Sequence, residues 1–202
     1  APLVAGIRDR FESRGLRVIA PSRQQARLEG SKAYSKEFMQ RHKIPTAKVH
    51  GIFDSSVAAL AAIDALSDGE WPVVVKADGL YGGKGVLVAE TREEAASFIR
   101  KLMEKRELGP GGLRVLLEKG LEGEELSFIV LTDGKSYVPM APTQDHKRIF
   151  DGDKGPNTGG MGTVAPLKIN DELLVKIKTT MIEPTLRGLQ SSATARRTGA
   201  PR

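Results

Sequence analysis

Val73-Val74-Val75-Lys76-Ala77-Asp78-Gly79-Leu80-Tyr81-Gly82-Gly83-Lys84-Gly85-Val86 runs a β-branched segment straight into a glycine loop. The three valines predict a strand over residues 72–76 that delivers Lys76 at its end. Residues 78–85 then hold four glycines and a second lysine, Lys84. Glycines let backbone N–H groups approach phosphate oxygens without a Cβ in the way, and some supply positive φ. Lysine adds a point charge on a long stem, suited to phosphate that moves during a reaction. The segment therefore predicts a loop that holds a triphosphate. It is not a Walker A loop, because Gly83-Lys84 is followed by Gly85 and no helix opens there. Nor is it a dinucleotide fingerprint, since a strand over 86–89 follows. A strand, glycine loop and strand in this order suggest a lid over the nucleotide. Taken alone, the same residues also fit a flexible turn with solvated lysines.

Working outward, the chain alternates helix and strand. Val4, Ile7 and Phe11 predict a helix over 4–14, and Leu16-Arg17-Val18-Ile19-Ala20 a short strand ending at Pro21. A helix over 31–42 opens at Ser31, with Tyr34, Phe38 and Met39 as its apolar stripe. A strand (47–53), an Ala-rich helix (55–67), a helix from Thr91 (91–105) and a strand (113–118) complete the first part. Beyond Gly120, residues 125–131 and 136–141 read as strands around an Asp133-Gly134 turn. Residues 142–164 are polar and glycine-rich, which predicts a long functional or disordered loop. A last helix is expected over 171–190, bent or interrupted at Pro184. Residues 191–202 contain no Val, Ile, Leu or aromatic residue and read as a disordered or non-native tail.

Two more clusters carry chemistry. In Leu116-Leu117-Glu118-Lys119-Gly120-Leu121-Glu122-Gly123-Glu124-Glu125 a strand ends at an acid, turns, and presents another acid. Such acids can accept hydrogen bonds from an adenine amino group or a ribose hydroxyl, although on this cluster alone a charged, solvated turn is the better explanation. Gln144-Asp145-His146-Lys147-Arg148 and Gly155-Pro156-Asn157-Thr158-Gly159-Gly160-Met161-Gly162 together offer side-chain and backbone donors to an anionic substrate. His146 has no second histidine nearby, which argues against a metal-ligand set; a disordered polar loop is the other reading.

The 202 residues are 40% hydrophobic and 28% charged, enough for one large domain or two small ones. There is no cysteine, so disulfides and thiolate metal sites are excluded. No apolar run approaches a membrane span and Ala1-Pro2-Leu3-Val4 is not a secretory signal, so a cytoplasmic location is expected. The net charge of +6 is scattered among acids with few aromatics, which favours small anionic substrates over nucleic acid.

Taken together, these segments resemble the phosphoribosylamine–glycine ligase (glycinamide ribonucleotide synthetase) family of the ATP-grasp superfamily. The resemblance also draws on Leu28-Glu29-Gly30-Ser31-Lys32 and Ile44-Pro45-Thr46, and it covers about residues 1–190. It implies an α/β (α+β) ATP-grasp fold: the end of an N-terminal nucleotide-fold domain over 1–28, the first half of the grasp with its lid over 29–119, and an incomplete central part over 120–190. It implies an ATP-dependent carbon–nitrogen ligase of purine biosynthesis that uses ATP and Mg²⁺ (or Mn²⁺). Phosphoribosylamine and glycine would be joined through a glycyl phosphate. By the same resemblance Lys32 and Lys76 face nucleotide phosphates, and Gly82, Gly83, Lys84 and Gly85 form the covering loop. Glu118 is the adenine-side acid, Lys119 and Leu121 read adenine through their backbone, and Glu125 is the ribose acid. Asp145, Lys147, Arg148, Pro156, Asn157, Thr158, Gly159, Gly160 and Met161 line the phosphoribosyl and glycine pocket.

The sequence departs from the family in two ways. Tyr81-Gly82 stands where two small residues are common, and the family's metal-ligand segment has no counterpart in these residues. The expectation is therefore ATP binding without turnover by the chain alone, with no catalytic side chain firmly assigned and the oligomeric state open. Another ATP-grasp carboxylate–amine ligase, or a non-catalytic nucleotide-binding fragment, is the alternative.

Overall fold

The computed structural model describes residues 2–82, 84–109, 113–152 and 154–197. The chain folds as two units: Ala1–Phe38 with Thr46–Leu121, and Met39–Pro45 with Glu122–Arg202.

The first unit is built on a four-stranded sheet in the order β1-β4-β2-β3, with every neighbouring pair antiparallel. Its strands are β1 (Val49–Phe53), β2 (Val73–Ala77), β3 (Val86–Ala89) and β4 (Val115–Lys119). Alternate side chains of a strand face opposite sides. Val73, Val75 and Ala77 of β2, with Val115 and Leu117 of β4, bury one side against α4 (Ser56–Asp64) and α5 (Arg92–Met103). Ala59, Ile63, Ala95, Ile99 and Leu102 supply the helical half of that core. Thr91 caps α5 by accepting from the Glu94 N–H, as its position before the apolar-periodic run predicts. The remaining positions of β2 and β4, including Lys76 and Glu118, therefore belong to the opposite side of the sheet.

Also in this unit are α1 (Ile7–Glu12) and α2 (Arg27–Gly30), and α3 (Lys32–Arg41) begins here. Ser31 opens α3, its hydroxyl accepting from the Tyr34 N–H at 3.1 Å. The strand expected over residues 16–20 does not form. Leu16 and Ile19 are exposed, and among the described residues no strand lies alongside that stretch to pair with it.

The second unit holds two hairpins, β5 (Val130–Thr132) with β6 (Tyr137–Pro139) and β7 (Gln144–Phe150) with β8 (Lys154–Val164). The Asp133 carboxylate tightens the first turn by accepting from the Lys135 and Ser136 N–H groups at 2.8 and 2.7 Å. The second hairpin corrects the expectation of a loop over 142–164. Its register shifts twice and its exposed strands alternate no apolar face, so the pairing leaves little trace in hydrophobic periodicity.

The final helical stretch is three segments: α6 (Asp171–Ile177), a π-helical turn (Lys178–Ile182) and α7 (Glu183–Arg197). Pro184 has no N–H to give and its ring crowds the preceding turn, and the wider π-turn sits directly before it. Of the stretch expected to be a disordered or non-native tail, residues 198–202 lie outside the described residues and helix continues through residues 191–197. Alanines and arginines there have high intrinsic helix propensity, which an absence of bulky apolar residues does not reveal.

Candidate nucleotide and substrate sites

On the sheet face opposite the α4/α5 core, β2 and β4 place Lys76 and Glu118 diagonally. Val74 is opposite Glu118, and Lys76 is opposite Leu116. Lys76 and Glu118 form an ion pair through Glu118 Oε1. The second oxygen, Oε2, lies 2.5 Å from the Lys36 ammonium on α3. Glu118 is 3% exposed, and among the described residues it is the buried charged side chain. Leaving a carboxylate there is affordable only with counter-charges in contact, and two lysines provide them. Lys36 also donates to the Thr46 hydroxyl.

The glycine loop closes the β2–β3 hairpin, as its composition predicts. Its first residue, Asp78, reaches α3: its carboxylate accepts from the Ser31 hydroxyl at 3.1 Å and the Ala33 N–H at 3.2 Å. A carboxylate at a helix N-terminus is favourable because the first amides carry no helical partner. Lys32, at the start of α3, donates to the Gly79 carbonyl at 2.5 Å. Burial holds the Lys32 ammonium below its ordinary pKa, with Lys76 pushing the same way and Asp78 opposing. Two half-buried ammonium groups that repel each other, beside a glycine loop, are a local environment that an anion relieves.

Glycine is required at two positions of this loop. Gly79 has φ 126°, and a Cβ on Gly85 would lie 2.8 Å from the Tyr81 ring. That ring folds over the loop, and its hydroxyl donates to the Asp78 carbonyl at 3.2 Å. Gly82 takes φ 56° and Lys84 is exposed, its N–H donating to the Tyr81 carbonyl at 3.1 Å. Gly83 lies outside the described residues. At the end of β4, Lys119 donates to the Gly69 carbonyl at 2.5 Å, and Leu121 is 77% exposed.

In the second unit, Lys147 of β7 pairs with Glu125 at 2.9 Å and approaches Asp145 at 3.7 Å. The Glu125 hydrogen bond, with the nearby Asp145, holds the Lys147 ammonium above its ordinary pKa. Arg148 donates to the Gly155 carbonyl at 3.1 Å across the hairpin. On β8, Thr158 accepts from the Gly160 N–H at 3.1 Å, Gly160 has φ 125°, and Gly159 and Met161 are exposed. Pro156 and Asn157 lie in the same strand, Asn157 in register with Arg148; their side chains are outside the described residues.

A family model described as phosphoribosylglycinamide synthetase, ATP-grasp (A) domain, matches residues 30–197. The chain belongs to that family. Its mixed helix and sheet architecture is the ATP-grasp fold. The phosphoribosylamine–glycine ligase of Ralstonia nicotianae is 50% identical over 191 residues, which is 94% of this chain and 44% of that protein. The chain thus spans less than half the length of this curated relative. The crystal structure of phosphoribosylamine–glycine ligase from Thermotoga maritima superimposes with a TM-score of 0.75 at 36% identity, over 85% of this chain and 43% of that one. D-alanyl-alanine synthetase A of Vibrio cholerae, 16% identical, matches with a TM-score of 0.69 over 91% of this chain and 55% of its own, a likeness of fold alone.

Within this ATP-grasp domain the structure gathers Lys32, Lys76 and Glu118 on one face. It gathers Glu125, Asp145 and Lys147 in the second unit. Sequence reasoning missed Lys36 and gave Asp78 no role. The available signal was spacing: Lys32 and Lys36, four apart on α3, share a helical face. Among the described residues no group of three or more His, Cys, Asp or Glu can hold a metal ion, and no helix is long and apolar enough to cross a membrane.

Proposed function

We propose that this chain carries the nucleotide-holding part, and part of the substrate-holding part, of an ATP-dependent ligase. That ligase joins 5-phosphoribosylamine to glycine in purine biosynthesis. The observation that carries the reading is the buried Glu118 between Lys76 and Lys36, beside the glycine loop.

Lys32 and Lys76 neutralise phosphate oxygens of ATP, and the backbone of residues 78–85, Gly82, Gly83 and Gly85 among them, follows those oxygens closely, with Lys84 closing over them. When the nucleotide arrives, Lys76 exchanges its Glu118 contact for phosphate. Glu118, still held by Lys36, accepts a hydrogen bond from the adenine amino group. The backbone of Lys119 and Leu121 reads the adenine edge, and Glu125 accepts from a ribose hydroxyl. Asp145, Lys147 and Arg148, with the strand residues Pro156, Asn157, Thr158, Gly159, Gly160 and Met161, orient the phosphoribosyl group and glycine.

In the reaction, an oxygen of the glycine carboxylate attacks the γ-phosphorus and ADP leaves with the electron pair of the broken P–O bond. The amine of phosphoribosylamine then attacks the acyl carbon and expels inorganic phosphate. No covalent enzyme nucleophile is needed, because positioning and charge neutralisation carry phosphoryl transfer. A divalent cation, Mg²⁺ or Mn²⁺, would share the triphosphate charge. The neutralisation argued for this chain is the part that its lysines supply.

The whole-length activity is tested in a chimera: the Ralstonia nicotianae ligase with its matching segment replaced by residues 30–190 of this chain. ADP formation that requires both glycine and phosphoribosylamine, and that is lost in Lys76→Met, is expected. ADP formation indifferent to glycine, or equally supported by D-alanine, would overturn the substrate assignment.

A further inference from the structure

The C-terminal end of α3 and the π-turn border an open cleft that none of the residues assigned above lines. Its volume is about 390 Å³, and it is lined by His42, Lys43, Thr179, Thr180, Arg187 and two prolines. That size suits a small ligand rather than a single water.

Three features bear on what enters it. First, α3 ends in a Schellman arrangement: the Ile44 N–H donates to the Met39 carbonyl at 2.8 Å and the Lys43 N–H to the Gln40 carbonyl at 3.2 Å. The first of these two donors along the chain takes the left-handed conformation that favours glycine, yet it is Lys43, with φ 54°. A cation at a helix C-terminus is favourable in itself, but Arg41 in the last turn already supplies one. Second, the opposite wall is a π-helical turn, a device that recurs at functional sites and here turns Thr179 and Thr180 toward the cleft. Their hydroxyls donate to the Val175 and Lys176 carbonyls at 2.9 and 2.7 Å, so what they offer is oxygen lone pairs, which suit a hydroxyl of a small ligand and not a phosphate group. Third, the ionisable lining is of one sign. Lys43 and Arg187 are cations with His42 beside them, and among the described residues no carboxylate lines the cleft. Arg187 pairs with Glu183 on its own helix at 3.6 Å through one guanidinium nitrogen, which leaves further donors of the fork.

We propose that this cleft is a second anion site, taking the phosphate group of a small molecule, distinct from the nucleotide and substrate positions. Arg187 and Lys43 bind the phosphate oxygens.

The test is titration of inorganic phosphate into the full 202-residue chain, followed by calorimetry and by the melting temperature at constant ionic strength. Ribose 5-phosphate serves as a competing probe. Saturable phosphate binding is expected, weakened roughly tenfold by Arg187→Gln and by Lys43→Gly and unchanged by Lys101→Gln on the exposed side of α5. Lys43→Gly is the informative variant, because glycine suits the backbone there and loss of binding cannot be ascribed to unfolding. Competition by ribose 5-phosphate identifies a phosphate ester as an accepted ligand; its absence restricts the site to the free anion. Binding that survives Lys43→Gly and Arg187→Gln but disappears in Lys76→Met would place phosphate at the glycine loop and overturn the proposal. So would an effect that sodium chloride reproduces, which is screening only.

Discussion

Lys36 Nζ lies 2.5 Å from Glu118 Oε2, so a helix and a strand of the first unit meet through one buried charge pair. Lys76 holds the other oxygen of the same carboxylate. The two lysines are not equivalent. Lys36 is 12% exposed and fixes the carboxylate to α3, whereas Lys76 is 27% exposed and sits at the end of the strand that feeds the loop. One lysine positions the acid and the other is available to exchange partners.

Removing the acid leaves two ammonium groups without their counter-charge. Glu118→Ala is expected to destabilise the chain by about 3 kcal/mol, measured by urea denaturation. An unchanged midpoint would mean that solvent already compensates both lysines.

Removing the positioning lysine separates structure from binding. Lys36→Met retains the stem but not the charge, and about 1.5–3 kcal/mol of stability should be lost. ATP affinity should fall with it, since Glu118 is no longer held. Lys36→Arg should recover both in part, and a variant with full affinity would remove Lys36 from the account.

Asp78 ties the glycine loop to the start of α3 through Ser31 and Ala33. Asp78→Ala is expected to cost about 1–2 kcal/mol, the range for losing a helix cap. Hydrogen exchange should show it as faster exchange of the first amides of α3, with α5 unaffected. Uniform acceleration across both helices would show a global effect instead.

His50 supplies a pH dependence. Its side chain is 4% exposed, its Nε2 is 3.6 Å from Glu70 Oε2, and neither atom has a hydrogen-bond partner among the described residues. Burial lowers the His50 pKa from 6.5, with Lys48 and Lys119 acting the same way and Glu70 opposing. Between the lowered value and 6.5 the unfolded chain binds a proton that the folded chain refuses. The associated stability is thus present above the unfolded value and is lost as pH falls through it toward the folded one. Urea midpoints should decline from about pH 7.5 to about pH 5.5, and His50→Gln should flatten that slope. The Glu70 carboxyl is held low first by its Lys48 hydrogen bond, so its own loss comes at more acid pH.

The legible part of this molecule was what local chemistry dictates. Three valines and a run of glycines were enough to predict the β2–β3 hairpin, and Ser31 and Thr91 announced their helices through the hydroxyl each offers to an N–H. What sequence concealed was set by distance or by weak pattern. Glu118 reads as one more acid in an acidic turn until β4 is paired with β2 and the sheet buries it. Lys36 acquires meaning only when α3 brings it to that carboxylate from eighty-two residues away. The β7–β8 hairpin went unseen because no apolar residues alternate along Gln144–Arg148, and residues 16–20 carried strand propensity with no strand to pair with among the described residues.

The central claim, that Lys76 and Glu118 hold ATP on this sheet face, is tested most directly by calorimetric titration of ATP into the 202-residue chain. Saturable binding is predicted, weakened roughly tenfold or more by Lys76→Met and by Glu118→Gln, with both variants folded. ATP binding of wild-type strength in Lys76→Met, or none at all in the folded wild-type chain, would contradict it.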